Sequence, residues 1–365
     1  MKRYGHLYEQ IIDVENCRQA IINASKSKKR RAFVLEVVNN VDYYAQDLSN
    51  RLQTLNFTTP YKPKVINDGL NHKEREIQVP TFYPDQCAHH AIIQILQPLI
   101  LKTSYYWSCA NIPKRGIDLA SKGVTKATIR DSKNAKYCVK LDITKFYPSM
   151  PHDLLKESLR KKIKDKKVLP ILYALIDSFQ QGLPIGNYTS PWLAEFYLQP
   201  LDRYIKETLK IKYYIRYADD MVLIDSNKRK LRKAMYDVIA KVDHMGLKIK
   251  HNYQLFPIRK EHSKLGRQID FVGRCFGRGY TTIRKRRALR FMQQSRKIQK
   301  LQKANAQISH KMASGFISRS SCLCHTNSFG LRKKYYEPVD IENLKEVVRN
   351  ESYRKLKSST NTTRI

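Results

Sequence analysis

Acidic residues are scarce in this chain of 365 amino acids: 32 Asp and Glu stand against 69 Lys and Arg, a formal net charge of +37. No acidic residue occurs from Phe271 to Tyr336, although this stretch of 66 residues holds sixteen Lys and Arg. A segment with charges of one sign repels itself unless it faces a polyanion. The alternative is a soluble basic helix without a partner. The charge disfavours a generic metabolic enzyme and favours nucleic-acid binding.

Long hydrophobic runs are also missing. A membrane-spanning helix needs about 18 or more consecutive apolar residues, and the most apolar stretch, Ala88–Leu101, is interrupted by His, Gln and Pro. The N-terminal residues MKRYGHLYEQ lack the apolar block of a secretory signal. We therefore expect no membrane partner and a cytoplasmic location. With 42% hydrophobic residues, the chain can still bury the cores of roughly two or three subdomains.

Cysteine is sparse and scattered. The 7 cysteines are an odd number without paired spacing, which excludes a disulfide framework. Cys322, Cys324 and His325 could in principle bind a metal, but the Cys-x-Cys spacing is unusual for zinc and a second half-site is missing. Free thiols near a loop are the favoured interpretation.

Three segments carry strand patterns. Lys73–Pro80 alternates polar and apolar residues, and Tyr137–Asp142 is a second short β-rich run. Tyr213–Ile224 contains two β-rich runs that flank Asp219 and Asp220, which predicts a hairpin with an acidic tip.

Two segments carry helix patterns. Tyr83–Leu101 has helix-like apolar spacing, and Ser190–Leu209 has an apolar face. Ser190 is predicted as the N-cap of the second helix, with Pro191 at its first helical position.

The end of the Tyr137–Asp142 strand and the hairpin tip would bring three carboxylates together, those of Asp142, Asp219 and Asp220. Clustered carboxylates repel each other and need cations, and Mg²⁺ prefers oxygen ligands. Two Mg²⁺ ions about 3.5–4 Å apart, or Mn²⁺ as a substitute, could activate a 3′-hydroxyl and stabilise a leaving pyrophosphate. Taken singly, Asp142 could cap a helix and the other two could be turn residues. Taken together, they predict nucleotidyl transfer.

Six motifs, in the same order along the chain, resemble those of the reverse transcriptases. A single Y-x-D-D box is a weak signal, but six collinear motifs over roughly residues 70 to 275 are a strong one. They are Arg75–Pro80 followed by Asp85, Leu141–Met150, Leu183–Pro191, Tyr217–Asp220, Gly246–Lys250 and Ile269–Gly273.

The resemblance implies an α+β right-hand polymerase with fingers, an antiparallel palm sheet and a helical, basic thumb. We expect the N-terminal region and fingers in residues 1–130, and the palm in residues 131–276 with a finger insertion at 151–182. The thumb would occupy residues 277–350, and residues 351–365 would form a flexible tail.

The resemblance also implies residue roles at the reaction centre. Asp142 and Asp219 would bind metal, and Asp220 would be a third ligand or a local negative charge. Tyr147 would be a steric gate whose ring clashes with a ribose 2′-hydroxyl, which favours deoxynucleoside triphosphates. Either Phe146 or Tyr147 is expected to be a core aromatic instead.

Further positions are assigned to the incoming nucleotide. Arg suits a triphosphate because its planar fork bonds phosphate oxygens in pairs, and a glycine lets the backbone approach the nucleotide. A lysine in the Gly246–Lys250 motif, Lys248 or Lys250, would supply charge or a proton to pyrophosphate; a solvated strand lysine is the alternative. The assigned residues are Arg75, Lys73, Ile185, Gly186 and Lys248.

The segment after the palm is assigned to the template RNA and the primer or cDNA. Phe271 and Gly273 resemble the primer-grip hairpin. The basic residues that follow would hold the nucleic-acid backbone; they are Arg284, Lys285, Arg286, Arg287 and Arg290.

Four segments favour one subtype, the bacterial and phage reverse transcriptases of diversity-generating retroelements: Met1–Tyr8, Ala110–Ile117, Ile185–Tyr188 and Ile269–Gly273. This subtype implies copying with errors at adenine and a small basic accessory protein. It typically has Ser-Gln where this chain has Ser190 and Pro191, so a defence-associated bacterial reverse transcriptase is the alternative. A non-catalytic RNA-binding protein on a polymerase fold is the alternative from another class.

Overall fold

The computed structural model describes residues 3–68 and 73–350. It mixes helices with short antiparallel sheets, which confirms the predicted α+β class. The helices are α1 (Tyr8–Ile12), α2 (Val14–Ser25), α3 (Ala32–Asn39), α4 (Val41–Gln53), α5 (Cys87–Thr103), α6 (Ile117–Thr125), α7 (His152–Lys162), α8 (Val168–Asp177), α9 (Ser190–Arg203), α10 (Lys228–His244), α11 (Lys285–Lys303), α12 (His310–Ser320) and α13 (Phe329–Tyr335). Residues 341–350 are also helical.

The strands form three sheets. The first pairs β1 with β2, the second has the order β4-β5-β3-β6, and the third has the order β7-β8-β9. The strands are β1 (Lys62–Asp68), β2 (Lys73–Val79), β3 (Tyr137–Asp142), β4 (Tyr213–Tyr217), β5 (Asp220–Asp225), β6 (Gln254–Pro257), β7 (Ile269–Phe271), β8 (Arg274–Gly277) and β9 (Tyr280–Ile283).

The described residues divide into two compact units. The first comprises the chain up to Gly116 together with Lys140–Met221 and Arg232–Tyr253. The second comprises Ile117–Val139, Val222–Leu231 and the chain from Gln254 onward. The fingers, palm and thumb boundaries stay a prediction, and the predicted tail, residues 351–365, lies outside the described residues.

The N-terminal helices of the first unit pack around α5, whose start differs from the expected helix. The carboxylate of Asp85 is fully buried and accepts hydrogen bonds from the backbone amides of Thr59 (2.7 Å) and Thr81 (2.9 Å). Phe82–Gln86 forms a π-helical turn around this carboxylate, so the regular helix begins at Cys87. The apolar spacing therefore predicted the helix correctly but not the polar anchor that sets its first turn.

A buried histidine on α5 should make stability depend on pH. The side chain of His89 is fully buried, neither ring nitrogen has a hydrogen-bond partner among the described residues, and burial lowers its pKa to about 4. In the unfolded chain a histidine titrates near pH 6.5. Between these values the unfolded state binds a proton that the native state does not, so stability falls as pH falls, by about 3 kcal/mol in total from His89.

Urea unfolding between about pH 7 and 4 measures this effect. In the His89→Phe variant, the slope of the unfolding free energy against pH should decrease by the equivalent of about one bound proton. The exposed control His251→Phe should keep the wild-type slope. Parallel curves for wild type and His89→Phe would contradict the assignment.

The second sheet confirms two predicted strand patterns. β3 has the expected bounds Tyr137–Asp142. β4 and β5 are joined only by Ala218 and Asp219, so they form an antiparallel hairpin.

Helix α9 begins one residue earlier than predicted. Thr189, not Ser190, is its N-cap residue, and Pro191 lies in the first turn. The hydroxyl of Ser190 instead donates to the carbonyl of Pro184 at 2.7 Å. The predicted N-cap was wrong because the serine hydroxyl bonds to the preceding loop rather than to the first turn of the helix.

The second unit ends in a helical layer with its own core. Buried apolar side chains from α11 and α12 meet there, and the rings of Phe291 and Phe316 stack with centroids 5.1 Å apart. The many cations of α11 lie on the rest of its surface, since its buried residues are Phe291, Ser295 and Ile298. Among the described helices, none has both the length and the hydropathy to cross a bilayer.

Candidate active site and nucleic-acid interface

The structure brings three aspartates together at one end of two adjacent strands. Asp142 is the last residue of β3, Asp219 lies in the hairpin turn and Asp220 begins β5. The amide of Ile143 donates to the carbonyl of Asp219 at 3.3 Å, which ties the end of β3 to the turn. Residues far apart in sequence thus form one acidic group.

Burial and the neighbouring negative charges disfavour the ionised forms of Asp219 and Asp220. Burial, and after it the charge of Asp142, raises the pKa of Asp219. Burial raises the pKa of Asp220 to about 7, although the ammonium of Lys140 opposes the shift. Positive charge brought to this site would therefore be bound favourably.

Two lysines supply part of that positive charge. Lys250 Nζ lies 2.5 Å from Asp142 Oδ1, and Lys140 Nζ lies 3.2 Å from Asp220 Oδ2. Lys250 is held there because its amide donates to the carbonyl of Asp142 at 2.8 Å. Lys248 is exposed, and its carbonyl accepts from the amide of Thr144 at 2.7 Å. Of the two lysines in this motif, Lys250 is the one that contacts an aspartate.

The donor atoms suit a hard divalent cation whose shell is completed by other ligands. Oδ1 of Asp220 is buried and has no hydrogen-bond partner among the described residues. Within residues 3–68 and 73–350, no three His, Cys, Asp or Glu side chains are grouped so as to hold a metal ion by themselves. Mg²⁺ commonly takes one or two carboxylates and fills its shell with water and substrate phosphates. The aspartates fit such an open site.

A backbone contact joins β2 to the loop before α9. The amide of Gln78 donates to the carbonyl of Ile185 at 2.8 Å. Gly186 has φ +119°, and a Cβ there would lie 2.5 Å from the carbonyl oxygen of Gln78. A side chain at residue 186 would separate the two segments, so the close approach requires glycine.

Arg75 lies on the same strand, opposite Ile66 of β1. Its positive charge acts on Asp219 and lowers the pKa of that carboxyl, against the larger effect of burial. Arg75 therefore belongs to the electrostatic surroundings of the aspartates. Lys73 begins β2, but its side chain lies outside the part of the chain that the structure describes.

The two neighbouring aromatic residues differ in environment. Phe146 is 5% exposed and belongs to the core, whereas Tyr147 is half-buried. Burial, followed by the charge of Asp219, raises the pKa of Tyr147 to about 12. The Tyr147 hydroxyl accepts from Asn111 Nδ2 at 3.4 Å. Tyr147 is thus the ring that lies near the aspartates.

A buried charge network beneath the turn escaped the sequence analysis. Arg216, which is 1% exposed, lies 2.6 Å from Asp202 Oδ2 and 2.9 Å from Glu195 Oε2. Glu195 and Asp202 are seven residues apart, so they share one face of α9. The seven-residue spacing of the two acidic residues and the Arg directly before the Y-x-D-D box were the features of the sequence that could have predicted this network.

In the second unit, β7 and β8 form a tight hairpin at the predicted primer-grip residues. Phe271 is fully buried and pairs with Arg274, and the two residues between them have φ +44° and +80°. The second of these, Gly273, faces the guanidinium of Arg287.

The basic cluster at the start of α11 divides into two environments. Arg284 donates through Nε to Asp270 Oδ1 at 2.8 Å, so it joins α11 to β7. Lys285 and Arg286 are exposed, whereas Arg287 and Arg290 are half-buried. Lys285 and Arg286 are therefore the most exposed residues of the cluster.

Comparison with known proteins agrees with this geometry. A family profile described as "Reverse transcriptase (RNA-dependent DNA polymerase)" matches residues 68–254, just over half of the chain. The chain belongs to the reverse transcriptase family. The matched range contains all three aspartates, Arg75 and Tyr147.

Two curated relatives match smaller parts of the chain. The Retron Ec73 reverse transcriptase of Escherichia coli is 30% identical over 142 residues, which cover 35% of this chain and 44% of the relative. The Group II intron-encoded protein LtrA of Lactococcus lactis subsp. cremoris is 26% identical over 167 residues, which cover 43% and 27%. The chain spans less than half the length of the curated relatives it matches.

Among solved structures, the apo telomerase from Candida Tropicalis superposes with a TM-score of 0.50 at 14% identity, covering 83% of this chain and 59% of that chain. At this identity the likeness concerns the fold alone. With the family match, it confirms the right-hand polymerase fold predicted for this reverse transcriptase.

Proposed function

We propose that this reverse transcriptase is an RNA-directed DNA polymerase that makes cDNA from an RNA template and deoxynucleoside triphosphates. The observation that carries the proposal is the meeting of Asp142, Asp219 and Asp220 at the ends of β3 and β5. The net charge of +37 supports a nucleic-acid substrate.

Asp142 and Asp219 would hold divalent metal, Mg²⁺ or Mn²⁺. When bound, two such ions would activate the primer 3′-hydroxyl and stabilise charge on the leaving pyrophosphate. Asp220 has one oxygen on Lys140 and a buried Oδ1 without a hydrogen-bond partner among the described residues, so it would be a third ligand or a local negative charge. Lys250, which contacts Asp142, would balance charge and donate to phosphate oxygens.

The neighbouring residues would orient and select the nucleotide. Arg75 would bind the triphosphate, and Gly186 would let the backbone approach the nucleotide, with Ile185 held by Gln78. Tyr147 would exclude the ribose 2′-hydroxyl, because it is the half-buried ring near Asp219.

Primer extension tests the proposal. The purified chain, an RNA template with an annealed DNA primer, Mg²⁺ and deoxynucleotides should yield cDNA, and a chelator should abolish the product. RNA binding without incorporation, in either Mg²⁺ or Mn²⁺ and on several templates, would instead support the non-catalytic RNA-binding alternative.

For the biological role we propose a diversity-generating retroelement with a small basic accessory protein. The four resembling segments support it. Ser190 and Pro191 depart from the typical Ser-Gln, so a defence-associated enzyme is the second candidate. Sequencing the cDNA separates them: errors concentrated opposite adenine support the first, and faithful or repetitive cDNA supports the second.

The exposed pair at the start of α11 should contribute to nucleic-acid affinity. Lys285→Gln with Arg286→Gln should lower RNA affinity and reduce the slope of log K against log salt by about 0.7 to 0.9 per lost phosphate contact. Binding titrations at several salt concentrations measure this slope. Arg232→Gln with Lys233→Gln, two exposed residues of α10, is the matched control because it removes the same charge. Equal slope changes in both double variants would contradict a specific interface on α11.

A further inference from the structure

The residue before Asp219 has an unfavourable backbone conformation. Ala218 has φ +54°, in the left-handed region that an L-residue other than glycine rarely adopts. A two-residue hairpin turn takes a positive φ at its first central residue, and a hydrogen bond from outside the turn holds the peptide that follows it. Arg216 Nη1 donates to the carbonyl of Ala218 at 3.1 Å. That carbonyl belongs to the peptide that leads directly into Asp219, so its orientation affects where the Asp219 carboxylate points.

Arg216 is itself fixed by charge. Its Nε and Nη2 both donate to Asp202, at 2.8 and 2.6 Å, and Nη2 also donates to Glu195 at 2.9 Å. Arg216 and Asp202 are each 1% exposed and Glu195 is 5% exposed. Hydrogen bonds between charged groups are strong in such a water-excluded place.

The carboxylates are anchored in turn. The hydroxyl of Tyr214 donates to Asp202 at 2.7 Å, and the hydroxyl of Ser108 donates to Glu195 at 2.7 Å. The backbone of Arg216 is held by the residue before Ser108, because its amide donates to the carbonyl of Trp107 at 3.0 Å. The guanidinium therefore has one orientation, in which its remaining nitrogen points at the turn.

We propose that Arg216, clamped between Glu195 and Asp202, is a positioning residue that holds the Ala218–Asp219 peptide in the conformation that presents Asp219 to the reaction. The bond to the Ala218 carbonyl links this network to the turn that carries Asp219. This inference rests on the proposed function, in which Asp219 takes part in catalysis.

Arg216→Lys and Tyr214→Phe form a matched pair of variants. Lysine keeps the positive charge but lacks the planar fork, so it cannot serve both carboxylates and the Ala218 carbonyl together. Tyr214→Phe removes a bond to Asp202 from the same network and leaves all Arg216 bonds in place. Both variants should lower the thermal midpoint. Only Arg216→Lys should lower kcat, by about 100-fold as expected for a misplaced reacting group.

Two further readouts distinguish positioning from a general loss of structure. In Arg216→Lys the nucleotide KM and the RNA Kd should stay near the wild-type values, while the Mg²⁺ concentration for half-maximal activity should rise. Equal losses of kcat in both variants, or full activity in a folded Arg216→Lys protein, would overturn the proposal.

If Arg216→Lys does not fold, Glu195→Gln tests the same point, since it weakens one side of the clamp and keeps the shape of the side chain. It should also lower kcat more than Tyr214→Phe does, and an effect no larger than that of Tyr214→Phe would overturn the proposal. Asp219→Asn distinguishes a failure of the proposed function from a failure of the positioning inference. If it retains activity, the proposed function fails; if it is inactive while the clamp variants have wild-type kcat, only the positioning inference fails.

Discussion

Asp219→Asn is expected to lower cDNA synthesis by at least about 10³-fold while RNA affinity stays unchanged. The amide cannot replace the carboxylate as a metal ligand, and loss of metal-ion catalysis removes several kcal/mol of transition-state stabilisation. Since each 1.36 kcal/mol corresponds to tenfold in rate, about 4 kcal/mol gives this factor. Asp142→Asn should act similarly, because Asp142 belongs to the same acidic group.

The fold should tolerate this substitution. Burial and the charge of Asp142 raise the pKa of Asp219, which means that the native state disfavours its ionised form. A neutral amide removes repulsion, so the thermal midpoint of the metal-free protein should be equal to or higher than that of wild type.

Single-turnover primer extension, RNA titration and thermal unfolding together check the prediction. Asp243→Asn, at an exposed position of α10, is the matched control and should behave as wild type in all three measurements. If Asp219→Asn polymerises normally, the site assignment is incorrect. If it loses RNA binding as well, the acidic group has a structural role that the geometry does not indicate.

Tyr147→Ala is expected to reduce discrimination against ribonucleotides by about 100-fold or more. A pocket discriminates between substrates through differences in transition-state binding. A single methylene changes such discrimination by about 10- to 200-fold, and removal of a whole ring is a larger change. The structure favours Tyr147 over Phe146 as the gate, because Phe146 is 5% exposed and Tyr147 lies near Asp219. The ratio of kcat/KM for matched deoxy- and ribonucleotides is the measurement.

Tyr147→Phe is the control for this prediction. It keeps the ring and removes only the hydroxyl that Asn111 contacts. Discrimination should survive in Tyr147→Phe and be lost in Tyr147→Ala. Unchanged discrimination in the alanine variant would show that another residue excludes the 2′-hydroxyl, and a loss in both would assign the role to the hydroxyl.

Local patterns predicted the elements that carry the aspartates. β3 has the predicted bounds, and the hairpin of β4 and β5 places Asp219 in its turn, because alternation of side chains and a short acidic connection are properties of neighbouring residues. The helix starts were less accurate. Asp85, at the start of α5, bonds to the distant Thr59, and the hydroxyl of Ser190 bonds to the loop before α9 instead of capping the helix.

By itself the sequence determined the family, through collinear motifs, the three aspartates as a candidate site, and an unusual excess of positive charge. Only the tertiary structure decided which charges have partners: Lys250 with Asp142, Lys140 with Asp220, and Arg284 with Asp270. It also placed Arg216 beneath the turn, between two carboxylates of α9. Motifs and alternation are local properties of the chain. Pairing among so many similar cations depends instead on which faces of distant elements meet, and burial then selects the few charges that must be neutralised.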